Sequence, residues 1–206
     1  MVSGPAVIKG EDFMLTLKAL AREQVTEIYT RHMCRDFAPD ELKPLAGILR
    51  LMDEGLYRAY GLFEEDGLRG YAMLMTSPGG RAALLDYYAV ISSRRGAGYG
   101  SRFLALLREE LRDLDGIVLE SEHIEYAVGR KDKSIRTRRI AFYLRNGVRR
   151  TSLRSRLFGV DYTVLYLPCG RDLPDGRLFM ELDAIYRTLF PAYIWQRRVE
   201  ISMRKP

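Results

Sequence analysis

The chain has 206 residues, 47% of them hydrophobic and 29% charged, with a net charge of +6. That length and balance fit one folded domain with a full core and argue against a disordered chain. No apolar run reaches membrane-spanning length, the first residues lack a secretory pattern, and Cys34 and Cys169 form neither a disulfide framework nor a metal-ligand spacing, which together predict a cytoplasmic protein with reduced thiols, no membrane and no metal.

Residues 1–12 read as a leader. Residues 13–20 alternate weakly, as a short strand does. The stretch "REQVTEIYTRHMCRDF" sets Val25, Ile28, Tyr29 and Met33 near helical spacing. "PDELKPLAGILRLMDEG" repeats the pattern with Leu45, Ile48, Leu49 and Met52, and Gly55 suits a helix C-cap. Strands follow at 56–64 and 68–76, joined across Glu65-Asp66-Gly67 as a hairpin, and then at 81–91, which is apolar nearly throughout. "SRFLALLREELRDLD" carries Phe103, Leu106, Leu107 and Leu111 on one stripe and reads as a helix ended by Gly116. A strand at 117–122 leads into a charged loop at 123–135, a helix around "TRRIAFYLRN" capped by Gly147, and a closing hairpin. A last helix, with a stripe of Leu178, Leu182, Ile185 and Leu189, stops at Pro191. This order predicts one mixed α/β domain with a helical C-terminal extension.

Between the third strand and its helix lies "SSRRGAGYG", with Gly96, Gly98 and Gly100 alternating. The first turn of a helix leaves N–H groups without partners, and its dipole favours negative charge there. Glycines let a bulky anion approach that backbone, so the stretch predicts a phosphate cradle with Arg94 and Arg95 on its rim. A plain strand-to-helix turn needs fewer glycines. No Gly-Lys-Ser/Thr closes a P-loop here, and a Rossmann fingerprint fails because Gly96 leads to Ser101 and Gly98 to Phe103.

The run Arg95-Gly96-Ala97-Gly98-Tyr99-Gly100 resembles the Arg/Gln-x-x-Gly-x-Gly/Ala acetyl-CoA loop of the GNAT acyltransferases. "LDYYAV" (85–90) is similar to the strand before that loop, and "RIAFYLRNGV" (139–148) to a later helix of the family, with Gly147-Val148 in place of Gly-Phe. The resemblance covers 13–167 and leaves 1–12 and 168–206 outside. It implies an α/β (α+β) fold with a mixed, mostly antiparallel central sheet flanked by helices. It also implies transfer of an acetyl group from acetyl-CoA directly to an amine on a small molecule or peptide. By that resemblance the N–H groups of Gly96, Ala97, Gly98, Tyr99, Gly100 and Ser101 hold the pyrophosphate, and Ala89 and Val90 pair with the pantetheine arm. Phe142 joins the cofactor-binding set, and Tyr143 takes the place of the general acid that protonates the leaving thiolate. The loop "HMCRDFAPDELKP" then covers the acceptor side, where Asp36, Phe37 and Glu41 either meet the amine or serve as a capped helix connection.

An amine arrives as an ammonium ion and must lose a proton before it attacks. Glu120 and Glu122 are the candidate bases; two residues apart on one strand, their side chains share a face about 7 Å apart. The alternative is a solvated strand end whose acids balance neighbouring arginines. His123 is a weaker candidate of the same kind. Eleven lysines and arginines fall between Arg130 and Arg156 against Asp132 alone. They either form a solvated basic face, serve CoA phosphates or select an acidic acceptor; without interleaved aromatics or a recognition helix they argue against nucleic acid. A CoA-binding regulator without turnover and a ribosome-associated module stand as the alternative functions. The C-terminal segment either packs on the domain or forms a homodimer contact.

Overall fold

The computed structural model describes residues 7–9 and 14–204. The chain divides into two compact units, the first holding residues up to Met75 together with Asp86–Glu110, the second Thr76–Leu85 and everything from Leu111 onward. Each is a mostly antiparallel sheet with helices packed on it, so the fold is mixed α/β, as the resemblance implied.

In the first unit, β1 (Val7–Lys9), β2 (Met14–Ala19), β3 (Tyr57–Glu64) and β4 (Gly67–Met75) pair in that order, all antiparallel. Of the stretch read as a leader, only Val7–Lys9 falls among the described residues. The β3–β4 hairpin turns on Glu65, which adopts φ 53°, and Asp66. Helix α1 (Arg22–Ile28) widens into a π turn at Tyr29–Met33 and ends as α2 (Cys34–Asp36); α3 (Leu45–Asp53) follows. Val25, Ile28, Met33, Ile48 and Leu51 are buried, so the apolar spacing read from sequence is the core-facing stripe. Gly55 takes φ 71°, the left-handed geometry of a C-terminal cap. β5 (Ala82–Val90) gives its last five residues to this unit and runs into α4 (Tyr99–Glu110), whose Phe103, Leu106 and Leu107 are buried.

In the second unit the first four residues of β5 pair in parallel with β6 (Gly116–Glu122), from Ala82↔Gly116 to Leu85↔Leu119. Beyond β6 come β8 (Val160–Pro168), β7 (Arg149–Leu157) and β9 (Val199–Met203), each antiparallel to its neighbour. Three expectations need correction here. Gly116 does not end α4; it opens β6, where an added Cβ would sit 2.5 Å from the Leu167 carbonyl oxygen and also strike the Tyr166 hydroxyl. Residues 123–135 are not one loop: a 3₁₀ turn at Ile124–Tyr126 gives way to α5 (Gly129–Arg145). That helix starts early because Gly129 takes φ 79° and Asp132 accepts the Val128 N–H at 2.9 Å. Finally, the C-terminal extension is not wholly helical, since α6 (Asp175–Leu189) and α7 (Ala192–Arg198) are followed by the strand β9.

Candidate functional site

The glycine stretch of the first unit is built to leave amides open. After a 3₁₀ turn at Ser92–Arg94, Gly96 and Gly98 adopt φ 88° and 81°, the left-handed region that disfavours any side chain. Apart from the adjoining residues of the chain, no described atom lies within 4 Å of where a Cβ would stand at either. The first backbone bond into α4 is Arg102 N–H to Gly98 O at 3.2 Å. Among the described residues, the N–H groups of Gly96 through Ser101 donate to no protein acceptor. These are the donors of a first helical turn and its approach, where no earlier carbonyl is available.

Side chains hold the loop from outside. The Tyr88 hydroxyl donates to Gly100 O at 2.6 Å. The Tyr99 hydroxyl donates to both Glu64 oxygens at 2.9 Å, and Arg69 Nε donates to the same carboxylate at 3.0 Å. Burial pushes the Glu64 carboxyl up, but the Tyr99 and Arg69 hydrogen bonds outweigh it and leave it below the usual range. Arg95 donates to Val90 O and to Asp36, both at 3.1 Å, and Asp36 accepts the Tyr71 hydroxyl at 2.8 Å. Burial, with Asp36 adding to it, pushes the Tyr71 phenol well up. Arg94 is exposed.

The end of β5 shows where its donors point. Ile91 N–H donates to Arg69 O at 2.9 Å, on the β4 side. Successive amides of a strand alternate sides, so the Val90 N–H points away from β4. The α2–α3 connection is tied down rather than open: the Tyr87 hydroxyl donates to Glu41 O at 2.9 Å and accepts the Lys43 N–H at 2.8 Å, while the Phe37 ring stands edge-on to Tyr87 at 5.0 Å. Lys43 Nζ reaches both Asp86 oxygens, at 2.7 and 2.8 Å.

The second unit holds the candidate acid and bases. Tyr143, on α5, is 9% exposed, and its hydroxyl has no hydrogen-bond partner among the described residues. Burial pushes this phenol up, only partly offset by the Arg139 charge, so it stays protonated across the neutral range. Phe142 packs against the Tyr143 ring at 5.3 Å and lies under the Arg145 guanidinium. Glu120 accepts the hydroxyls of Ser155 and Tyr186, both on Oε1. Glu122 accepts Arg136 at 3.1 Å and lies 3.7 Å from Arg139. His123 Nδ1 accepts the Glu125 N–H at 3.3 Å and so caps the 3₁₀ turn.

Several arginines of 130–156 are committed within this unit. Arg136 also donates to Asp132 at 2.9 Å and to His123 O at 2.9 Å, with its side chain only 11% exposed. Arg149 joins Asp172 and Asp175 at 2.9 Å, Arg154 faces Glu125 at 3.6 Å, and Arg156 faces Asp161 at 3.8 Å. All these acids except Asp132 lie outside the basic stretch, so the local charge count hid them. Tyr186 and Ser155 were also missed; Ser155 sits in an arginine-rich strand, and Tyr186 in a segment with no motif. Among the described residues no His/Cys/Asp/Glu cluster could hold a metal, and no helix is long and apolar enough to cross a membrane.

No protein-family profile and no curated protein matches this sequence. Solved structures do match its fold. A GNAT-family protein from Bacteroides thetaiotaomicron superposes with a TM-score of 0.64 at 19% identity, over 84% of this chain and 96% of that one. The ribosomal-protein-S18-alanine N-acetyltransferase of Escherichia coli gives 0.57 at 18%, over 78% and 97%. The spermidine N-acetyltransferase of Vibrio cholerae, solved with CoA and spermine, gives 0.57 at 13%, over 76% and 96%. The chain therefore has the fold of the GNAT N-acetyltransferases.

Proposed function

We propose that the protein is an acetyl-CoA-dependent N-acetyltransferase acting on a small-molecule or peptide amine. The observation that carries this reading is the run of six open amides from Gly96 to Ser101 at the start of α4. Together with the rim charge of Arg94 they suit the CoA pyrophosphate, while Arg95 holds the Val90 carbonyl and keeps the strand end in place.

Acetyl-CoA supplies an activated acetyl group as its thioester. The amine nitrogen, already relieved of one proton, bonds to the carbonyl carbon and gives up a second, which restores the acid; the carbon–sulfur bond breaks, and the sulfur takes a proton. Val90 N–H is the donor we assign to the carbonyl oxygen as charge builds there. Tyr143, protonated and with its hydroxyl uncommitted among the described residues, donates to the sulfur. For the proton lost by the ammonium we favour Glu120 over Glu122. Glu122 is held in an ion-pair cluster with Arg136 and Arg139, and Glu120 accepts the Ser155 and Tyr186 hydroxyls.

The test is thermal unfolding with CoA and acetyl-CoA, followed by thiol release in the presence of amines that include spermidine and a peptide with N-terminal alanine. Stabilisation by CoA and release with at least one amine are expected. Tyr143→Phe should lower release about 100-fold with CoA stabilisation unchanged. Because the protonated phenol is the working form and its pKa is raised, the rate should not fall through phenol ionisation until the pH passes about 10. Absence of CoA stabilisation sinks the proposal; stabilisation without release from any amine leaves a CoA-binding protein without turnover.

A further inference from the structure

β9 ends the strand order, next to β7 alone. Its register with β7 sets Ser202 opposite Arg154 and Glu200 opposite Arg156. At the two ends of the pairing, Arg204 N–H donates to Ser152 O at 2.9 Å and Phe158 N–H donates to Arg198 O at 2.8 Å. The even-numbered residues of β9 therefore direct their N–H and C=O groups at β7. By alternation, Ile201 and Met203 direct theirs at the outer edge, where no described strand receives them, while the Val199 N–H is taken by Trp195 O at the end of α7.

We infer that this edge pairs with β9 of a second copy of the chain, antiparallel about a two-fold axis through Ser202. In such a pair the outward residues must face one another, so the axis passes through a residue of β9. Centred on Val199, the strand would run against α7. Centred on Glu200, that carboxylate faces its own copy. Centred on Ile201, Arg198 faces Arg204. A centre on Met203 pairs no opposite charges among the described residues. Centred on Ser202, Glu200 faces Arg204 twice, by symmetry, and Ile201 faces Met203.

Both charges are exposed, and neither has an ion-pair partner among the described residues. Glu200 and Arg204 fall at a non-hydrogen-bonded pair of this register, where side chains come closest. Ile201 and Met203 form its hydrogen-bonded pair. They lie on the face that carries Ser155, and Met203 is 47% exposed. Phe158 and Val160, 53% and 38% exposed, add apolar surface beside the start of the strand. An isologous contact of this kind closes as a dimer.

Sedimentation across a hundredfold concentration range tests it. The wild type should be a reversible dimer. Glu200→Arg and Arg204→Glu should each weaken dimerisation about tenfold, and the double reversal should restore it. In a Cys34→Ser, Cys169→Ser background, Ser202→Cys should give a disulfide-linked dimer, because residues opposite each other at a non-hydrogen-bonded site stand about 4.5 Å apart at Cα. Glu200→Cys should not. A protein that stays monomeric overturns the inference, as does a dimer indifferent to both single reversals or one in which the two cysteines cross-link equally. CoA stabilisation is independent of every one of these outcomes.

Discussion

The glycine loop and the arginine-rich segment both present hydrogen-bond donors to a would-be anion, and they dispose of them in opposite ways. Between Arg130 and Arg156 the guanidinium groups of Arg136, Arg149, Arg154 and Arg156 meet carboxylates drawn from several parts of the second unit. From Gly96 to Ser101 the donors are main-chain amides that meet no protein acceptor among the described residues. A side-chain cation can be neutralised by folding. The amides of a first helical turn cannot be satisfied by their own helix. Local density of positive charge is thus no sign of uncommitted cations, whereas the glycine-bared helix start keeps its amides without acceptors among the described residues.

Removing Arg136 is the sharpest way to break this contrast. Its side chain is nearly buried among Glu122, Asp132 and the His123 carbonyl. Arg136→Ala should cost about 3 kcal/mol in urea unfolding, because two carboxylates lose their shared cation, and should leave CoA binding intact. A cost below about 0.5 kcal/mol, the range of an ordinary surface substitution, would show that the arginine is not a structural clamp.

Gly98→Val attacks the other side. A β-branched residue at φ 81° is strained by about 1–2 kcal/mol and closes the approach to the amides. CoA affinity measured by calorimetry should fall about 100-fold, or about 2.7 kcal/mol. Two alanine substitutions then separate two uses of glycine. Gly116→Ala places a methyl against the Leu167 carbonyl and the Tyr166 hydroxyl, and should destabilise by about 2 kcal/mol without touching CoA binding. Gly98→Ala meets no neighbouring atom and should cost only about 1 kcal/mol, all of it from the backbone.

The smallest effect is acidic. A hydrogen bond from Arg81, against opposing burial, holds the Asp115 carboxyl below its ordinary value. Asp175 is also lowered: burial pushes it up, but the Ser152 N–H, Arg149 and the Ser152 hydroxyl pull it further down. Both are depressed carboxyls, so their stabilisation is complete above the unfolded value near 3.8 and is lost as pH falls through the folded values. Thermal midpoints of Asp115→Asn and wild type should therefore converge as the pH is lowered below about 4.

Much of the first unit was legible because its signals are local. Helical spacing from Val25 to Met33, the Glu65-Asp66 turn and the glycine run each act over a few residues. The start of α5 was not legible, since "GRKDKSIRT" is polar all round and only the Asp132 cap and the left-handed Gly129 mark it as helix. Gly116 looked like a stop because a glycine after an amphipathic run usually is one; its actual reason is a tyrosine fifty residues later. The partners of Glu120 were invisible for the same cause. Ser155 and Tyr186 come to it through register and helix packing, which no short window contains.

That last contact has a practical side. Tyr186 sits on α6, outside the stretch that resembles known acetyltransferases, and is 1% exposed, with Leu178, Leu182 and Ile185 equally sealed along the same helix. Trimming the chain after Pro168 to obtain a minimal version would strip an apolar covering from the sheet and leave the Glu120 carboxylate without its phenolic donor. The tail is better regarded as a wall of the building than as a porch added to it.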